Sequence, residues 1–160
     1  MFASIKKLQS FDHVADAVNY LNQLKSAETL TLVAQLDAET LIKLLESPEL
    51  KHSHEITLLL ISGGRADVLD SLAEDRMADL MTGFNPHVQQ QGLALLSPSS
   101  KASILRLMSY PQGTAGSIMT TEFIQAPMAW TVAQTLQHIR EVESTRETVY
   151  AIYVVDIYNR

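Results

Sequence analysis

The stretch Tyr110-Pro111-Gln112-Gly113 separates a leucine-rich part of the chain from a part rich in β-branched and aromatic residues. Of the 22 leucines in the chain, 21 lie before it, whereas residues 148–155 read TVYAIYVV. Leucine favours helices, while β-branched and aromatic residues favour strands. Because the proline and the glycine also interrupt regular structure, we predict one domain over residues 1–109 and a second over residues 110–160.

The first domain is predicted to be a stack of short helices. Asp37 precedes a leucine-rich helical segment, and the pairs Asn85-Pro86 and Ser97-Pro98 each place a capping side chain before a proline at the first helical position. The helices are about 8–13 residues long, too short to be stable alone, so each must bury its apolar side against its neighbours. We therefore predict a mainly α fold, a right-handed superhelical stack in which no motif repeats at a fixed period.

The second domain has the pattern of a strand, a helix and a strand. A short strand is predicted over residues 121–125, a helix after the capping residue Thr131, and a stronger strand over residues 149–155. This βαβ unit reaches Arg160 without a third strand, and its sheet edges would be uncovered. We therefore expect it to be a truncated piece of a larger domain.

The composition excludes several kinds of function. The 160 residues include no cysteine, which removes disulfides, thiolate metal sites and cysteine nucleophiles. The formal charge of −6 argues against general binding to nucleic acid, which needs clustered lysine and arginine. No convergent set of acid, base and nucleophile is visible, so we predict that the chain is not an enzyme. No apolar run approaches the roughly 20 residues that a membrane-spanning helix needs.

Two segments carry a resemblance to a known family. The first is Thr114-Ala115-Gly116-Ser117-Ile118-Met119-Thr120, and the second is Glu147-Thr148-Val149-Tyr150-Ala151-Ile152-Tyr153-Val154-Val155-Asp156. In this order they resemble the junction of MgtE-type magnesium channels, where an all-helical N domain enters the first CBS domain. The resemblance covers residues 110–156 strongly, residues 50–109 moderately and residues 1–50 weakly.

The resemblance implies a function that the composition does not show. In that family these regions are the cytosolic part of a plasma (inner) membrane protein, and a transmembrane pore domain follows them. Mg²⁺ bound between the N and CBS domains holds the pore closed, and its loss lets the domains separate. The implied partners are Mg²⁺, the remaining CBS domains and transmembrane domain of the same parent, and a second copy in a homodimer.

Residues 65–80 are the strongest candidate for a binding site. They hold five acids and two bases, a local charge of −3. Asp75 and Asp79 share one helix face, where two carboxylates repel each other unless a cation lies near. Mg²⁺ prefers such hard oxygen ligands and usually takes one or two carboxylates besides water. The resemblance implies that Asp75 and Asp79 help to hold the regulatory Mg²⁺. Glu74 is a peripheral candidate, and Arg76 would compete for the carboxylates.

Two other interpretations of the acidic segment stay open. An acidic helix face is commonly no more than a solvated surface. A stack of short helices also resembles parts of the flagellar motor switch protein, in which case the chain is an interaction scaffold whose acids meet a basic partner without a metal. The strand-rich tail argues against this alternative. His52, His54 and Glu55 are better explained as a polar helix start than as a metal site.

Overall fold

The helical and the strand-containing parts of the chain form separate units. A computed structural model describes Leu8, Phe11 and residues 13–120, 123–142 and 151–158. By its internal contacts the chain divides into the units Met1–Ile118 and Met119–Arg160. Each unit is therefore described by itself.

Within the described residues, the first unit consists of eight α-helices and one 3₁₀ turn. They are α1 (Val14–Asn22), α2 (Ser26–Val33), α3 (Ala38–Glu46), α4 (Ser53–Ser62), α5 (Ala66–Leu69), α6 (Glu74–Thr82), α7 (Pro86–Ala94), α8 (Pro98–Met108) and the 3₁₀ turn Ala115–Ser117. Helix α1 contacts α3, α2 contacts α4, α3 contacts α5, α4 contacts α6, and α6 contacts α8. Each of these helices packs on the next but one along the chain, which is the arrangement of a superhelical stack. The prediction of a mainly α stack of short helices is confirmed.

Capping side chains begin three of these helices at the predicted positions. Asp37 Oδ1 accepts a hydrogen bond from the Thr40 amide at 2.8 Å, at the start of α3. Asn85 and Ser97 accept equivalent bonds from amides two or three residues further on, at the starts of α7 and α8. Each bond satisfies an amide that no helical carbonyl can reach.

The apolar sides of the helices meet in one core in the first unit. Its largest fully buried side chains include Leu21, Leu41, Leu45, Leu50, Ile56, Leu69, Met77, Leu80, Met81 and Ile104. Gly92 lets α7 approach α4 and α6 closely. A Cβ atom at this position would lie 2.5 Å from Met81 Cε and 3.0 Å from Ile61 Cδ1. Glycine is therefore needed at this position because the helices pack closely, and not because the chain turns there.

The segment after α8 belongs to the helical unit. Its 3₁₀ turn, Ala115–Ser117, contacts α8. The ring of Tyr110 lies so close to Gly116 that a Cβ atom there would come within 2.6 Å of it. Because this segment folds back on α8, the two units separate after Ile118, further along the chain than the predicted boundary at residue 110.

The described residues of the second unit form two parallel strands with a helix between them in the chain. In chain order its elements are β1 (Ile124–Pro127), α9 (Val132–Val142) and β2 (Ile152–Val155). The strands pair in parallel, from Ile124 opposite Ile152 to Pro127 opposite Val155. This is the predicted βαβ pattern, and a right-handed crossover through a helix is the usual way to join such strands.

The helix of the second unit begins at the predicted capping residue. The Thr131 amide donates to Gln134 Oε1 at 2.8 Å, and the Gln134 amide donates to Thr131 Oγ1 at 3.3 Å, which forms a capping box. Strand β1 overlaps the predicted residues 121–125 at Ile124 and Gln125 and continues to Pro127. Residues 121–122 and 149–150 of the predicted strands lie outside the described residues.

Truncating a core leucine should destabilise the first unit far more than truncating an exposed one. Leu45 is fully buried, whereas Leu58 on α4 is 41% exposed. We expect Leu45→Ala to lower the free energy of unfolding by about 2–5 kcal/mol through lost burial and a residual cavity. Leu58→Ala is the control and should change it by less than about 0.5 kcal/mol. Urea unfolding followed by circular dichroism measures both, and equal losses would refute the packing described.

Removing the cap of α3 should give a pH-dependent loss of stability. The hydrogen bond from the Thr40 amide lowers the pKa of Asp37 in the folded chain. Its stabilising contribution is therefore present above the unfolded pKa and is lost as the pH falls through the folded pKa. We expect Asp37→Ala to cost about 1 kcal/mol of unfolding free energy at pH 7. This difference from wild type should shrink in acid.

The matched control for this cap is Asp37→Asn, which keeps an acceptor oxygen but cannot titrate. It should cost less than Asp37→Ala at pH 7, since asparagine also caps helices well. Urea unfolding at a series of pH values measures all three chains. A loss in Asp37→Ala that is the same at every pH would show that the ionisation of Asp37 adds nothing to the cap.

Candidate functional site

The acids of residues 65–80 lie along α5 and in α6. Glu74 and Asp75 lie in the first turn of α6, with Ala73 at the cap position. Carboxylates at this end of a helix are stabilised by its unpaired amides. Asp79 lies one turn further on, and its side chain is 74% exposed.

Two side chains join the end of α3 to the start of α6. Glu46 Oε1 accepts a hydrogen bond from the Ala73 amide at 2.7 Å. In the opposite direction, Arg76 Nε donates to the Leu45 carbonyl oxygen at 2.6 Å, and Arg76 Nη2 donates to the Ser47 carbonyl oxygen at 3.2 Å. We call this reciprocal arrangement of Glu46 and Arg76 the crossed clasp.

The crossed clasp satisfies backbone groups for which the helices have no partners of their own. The last carbonyls of a helix carry partial negative charge, which suits a guanidinium, and the first amides carry partial positive charge, which suits a carboxylate. The side chain of Arg76 is only 11% exposed, so water competes little for its hydrogen bonds. The clasp therefore fixes the start of α6, and the acids on it, relative to α3.

Arg76 also contacts both of the predicted ligand residues. Its Nη1 donates to Asp79 Oδ2 at 3.1 Å. Its backbone amide donates to Asp75 Oδ1 at 2.8 Å. The guanidinium thus divides its donors between two backbone carbonyls of the α3 terminus and one exposed carboxylate. The guanidinium of Arg76, the residue expected to compete for the carboxylates, therefore contacts Asp79 of the pair.

The donor chemistry of these acids fits a hydrated Mg²⁺ ion and not a complete protein cage. Asp75 and Asp79 supply hard oxygen atoms four residues apart on α6, and Glu74 precedes them in the half-buried first turn. Mg²⁺ commonly keeps several waters and takes one or two carboxylates. Among the described residues, no group of three or more acids, histidines or cysteines could hold a metal ion. The described residues therefore place two carboxylates one turn apart on α6 without a complete ligand set around them.

Two acids of the same segment have structural partners. Asp67 accepts hydrogen bonds from Arg65 Nε at 2.9 Å and from Arg65 Nη2 at 2.8 Å. These bonds hold the pKa of Asp67 below its ordinary value and raise the pKa of Arg65. Asp70 Oδ1 accepts from the Ser97 amide at 2.9 Å, which joins the end of α5 to the start of α8. The candidate site therefore includes fewer acids than the whole segment of residues 65–80, since Asp67 and Asp70 already have structural partners.

The histidines near the start of α4 make local contacts. His52 Nδ1 lies 3.5 Å from Glu55 Oε1, at the margin of a hydrogen bond. The ring of His54 instead lies edge-on to the ring of Phe84, with centroids 5.5 Å apart. The structure does not bring these three predicted polar residues into one ligand set within the described residues.

Sequence reasoning missed two features of the molecule. One is Glu46, whose partner amide lies 27 residues further along the chain, so no local signal marks it. The other is a cleft of about 930 Å³ in the second unit. Its walls include Phe123, Gln125, Met128, Trp130, His138 and Asp156. The rings of Trp130 and His138 meet edge-on there, with centroids 5.1 Å apart.

Comparison with known proteins assigns the helical unit to a family. The model of the MgtE intracellular N domain matches residues 12–113, more than half of the chain. The chain belongs to the MgtE family. The predicted membership of the MgtE family is thereby confirmed, on residues that precede the two segments from which it was predicted.

Two curated relatives are named as magnesium transporters. The chain is 33% identical over 90 residues to magnesium transporter MgtE of Thermus thermophilus, which covers 56% of the chain and 19% of that protein. It is 39% identical over 56 residues to magnesium transporter MgtE of Enterococcus faecalis, which covers 35% of the chain and 12% of that protein. The chain therefore aligns with less than a fifth of the length of either MgtE relative.

Two solved structures share the fold. The soluble part of a magnesium transporter superposes with a TM-score of 0.78 at 23% identity, over 99% of this chain and 64% of that one. The cytosolic domain of the Mg²⁺ channel MgtE in complex with ATP gives a TM-score of 0.56 at 24% identity, over 100% of this chain and 71% of that one. At these identities the likeness concerns the fold. Among the described residues of this chain, every helix is too short or too polar to cross a membrane.

Breaking one side of the crossed clasp should destabilise the helical unit. We expect Glu46→Ala to lower the free energy of unfolding by about 1.5–3 kcal/mol, because it removes a charged acceptor from the half-buried Ala73 amide. The control is Glu39→Ala on the same helix, whose carboxylate pairs with Lys43 at 2.6 Å on an exposed surface. That loss should stay below about 1 kcal/mol. Urea unfolding compares the two, and similar small losses would mean that the clasp does not stabilise the fold.

Proposed function

We propose that this chain is part of the cytosolic, magnesium-sensing region of a magnesium transporter or channel. In this account, Mg²⁺ at the acid pair Asp75 and Asp79 favours the closed state of a pore that lies elsewhere in the parent protein. The observation that carries the proposal is the exposed carboxylate of Asp79, held on a fixed helix one turn from Asp75. Membership of the MgtE family, whose curated relatives are named magnesium transporters, supports it.

The acid pair would supply only part of the coordination of the ion. Asp75 and Asp79 would each offer a carboxylate oxygen, Glu74 would lie at the rim, and water would fill most of the remaining positions. A bound Mg²⁺ supplies two positive charges that neutralise the repulsion between neighbouring carboxylates. We infer that further ligands come from another domain, so that binding of the ion draws that domain towards α6. Binding of Mg²⁺ at α6 would thereby change the arrangement of the domains.

We further propose that the second unit, Met119–Arg160, is the beginning of a CBS domain, for which the sequence predicted residues 110–160. Several large apolar side chains of the second unit are exposed, among them Met128, Val132, Tyr153 and Val154. Two paired strands with one helix leave such faces uncovered, and further strands and helices of the same domain would cover them. The remaining CBS domains, the transmembrane domain and a second copy of the parent are the proposed partners. No nucleic acid is among them, in keeping with the charge of −6.

The cleft of the second unit is a secondary candidate for a ligand site. It has apolar and aromatic walls with a few polar groups, which is the usual character of a small-molecule pocket. One solved relative of similar fold is named as a complex with ATP. We propose only that a nucleotide is a candidate occupant when the domain is complete.

A titration with MgCl₂ tests the site assignment on the chain itself. At constant ionic strength, which removes general screening effects, we expect saturable changes in the ¹⁵N–¹H NMR signals of residues 74–80. Asp75→Ala combined with Asp79→Ala should abolish these changes. The matched control removes two exposed acids elsewhere, Asp16→Ala with Glu39→Ala, and should keep them.

Two results would contradict this proposal. If the chain without both aspartates responds to MgCl₂ as wild type does, the acid pair is not the site. If wild type shows no saturable change at residues 74–80, the acid pair of this chain does not bind Mg²⁺, which contradicts the site assignment. Binding of a basic partner that depends on the acids and ignores chelators would then favour the interaction scaffold.

A further inference from the structure

The guanidinium of Arg76 occupies an unusual position beside the acid pair. Two of its nitrogen atoms, Nε and Nη2, donate to the Leu45 and Ser47 carbonyl oxygens at the end of α3. The third, Nη1, donates to Asp79 Oδ2 at 3.1 Å. With 11% of its side chain exposed, Arg76 is nearly buried, whereas Asp79 is 74% exposed. A fixed positive charge therefore touches a carboxylate that is otherwise open to water.

We propose that Arg76 is a built-in competitor of the divalent cation and sets the Mg²⁺ concentration at which the acid pair fills. This inference rests on the proposed function and adds to it the regulation of the same site. Arg76 is a positioning residue in this account, because it holds Asp79 and tunes the site without binding the ion.

The crossed clasp is what makes Arg76 an unavoidable competitor. A surface arginine that loses its carboxylate to a metal ion swings away into water at little cost. Arg76 cannot do so without giving up two hydrogen bonds to the carbonyls of the α3 terminus, in a place where water replaces them poorly. The ion must therefore share the Asp79 carboxylate with Nη1 or displace it, and in either case bind beside a positive charge that stays in place. Both effects raise the Mg²⁺ concentration that the site requires.

The local charges give the direction and scale of the effect. Glu74, Asp75 and Asp79 carry −3 together, and Arg76 reduces this to −2. A fixed unit charge about 5 Å from a divalent ion, in a water-exposed setting, weakens binding on the order of tenfold. Loss of the charge should therefore make the site fill at a lower Mg²⁺ concentration.

Arg65 provides a matched control in the same segment. Like Arg76 it pairs with an aspartate, through bonds to Asp67 at 2.8–3.2 Å. Unlike Arg76 it is 34% exposed, and its partner lies outside the acid pair. Arg65→Gln and Arg76→Gln thus remove the same charge from the same acidic segment, and only one of them alters the candidate site.

The experiment compares the MgCl₂ midpoint of the NMR signals of residues 74–80 across these variants. We expect Arg76→Gln to lower the midpoint about tenfold and Arg65→Gln to leave it near the wild-type value. Glutamine retains an amide donor for the carbonyls of α3, and urea unfolding reports whether each variant is folded. Arg76→Lys keeps the charge but loses the two-pronged hold on the Leu45 and Ser47 carbonyls, so its midpoint should lie between those of wild type and Arg76→Gln. An equal shift in Arg76→Lys and Arg76→Gln would show that packing, and not charge, is responsible.

A measurement on the wild-type chain needs no variant at all. During the titration the Arg76 Nε–H resonance should keep its position, because its bond to the Leu45 carbonyl oxygen persists. The carboxyl carbon resonance of Asp79 should shift with the same midpoint as the amides. Disappearance or a large shift of the Nε–H resonance would mean that the guanidinium leaves, which overturns the role of a fixed competitor.

The outcomes separate this inference from the proposed function. If the response disappears in the Asp75→Ala and Asp79→Ala double variant while Arg76→Gln keeps the wild-type midpoint, the acid pair is the site and Arg76 does not regulate it. If the double variant still responds, the proposed site itself is wrong, whatever Arg76 does.

Discussion

The crossed clasp between α3 and α6 is the constraint on which both the core and the candidate site depend. Glu46 holds the Ala73 amide, and Arg76 holds the carbonyls at the end of α3. Helix α6 in turn contacts α4, α7 and α8, and it supplies Met77, Leu80 and Met81 to the core. Fixing its first turn therefore fixes the centre of the stack. Since Arg76 also contacts Asp79, the side chain that joins α6 to α3 also supplies the positive charge beside the acid pair.

The sequence predicted what local chemistry determines. Asp37, Asn85 and Ser97 cap helices where the sequence places them, because a cap needs only amides two or three residues away. The βαβ order of the second unit was also predictable, because the residue patterns of strands and helices are local features of the sequence. The clasp was not, because Glu46 and Arg76 reach partners 27 to 31 residues away and nothing in the neighbouring sequence marks a distant backbone group as an acceptor. The acid pair was predicted from its spacing and from family resemblance, but its contact with a nearly buried arginine required the fold.

The structure also divides the acids of residues 65–80 into two groups with different surroundings. Residues 65–80 carry −3, which by itself suggests one broad acidic surface. Asp67 is paired with Arg65, and Asp70 holds the start of α8, so these carboxylates serve the fold. What remains is the small cluster at the start of α6 with one fixed arginine beside it. Under the proposed function, a weak, hydrated cation site would suit a sensor better than a tight one, because a sensor must release its ion when the concentration falls.

The location of the bound cation is the most direct test of this account. Mn²⁺, a paramagnetic substitute for Mg²⁺, broadens the NMR signals of nearby amides when added in substoichiometric amounts to the 160-residue chain. The account predicts that the amides around Asp75 and Asp79 broaden first and that excess MgCl₂ restores them. Broadening that begins instead around Asp67, around His52 or in the second unit, and leaves the start of α6 unaffected, would contradict it.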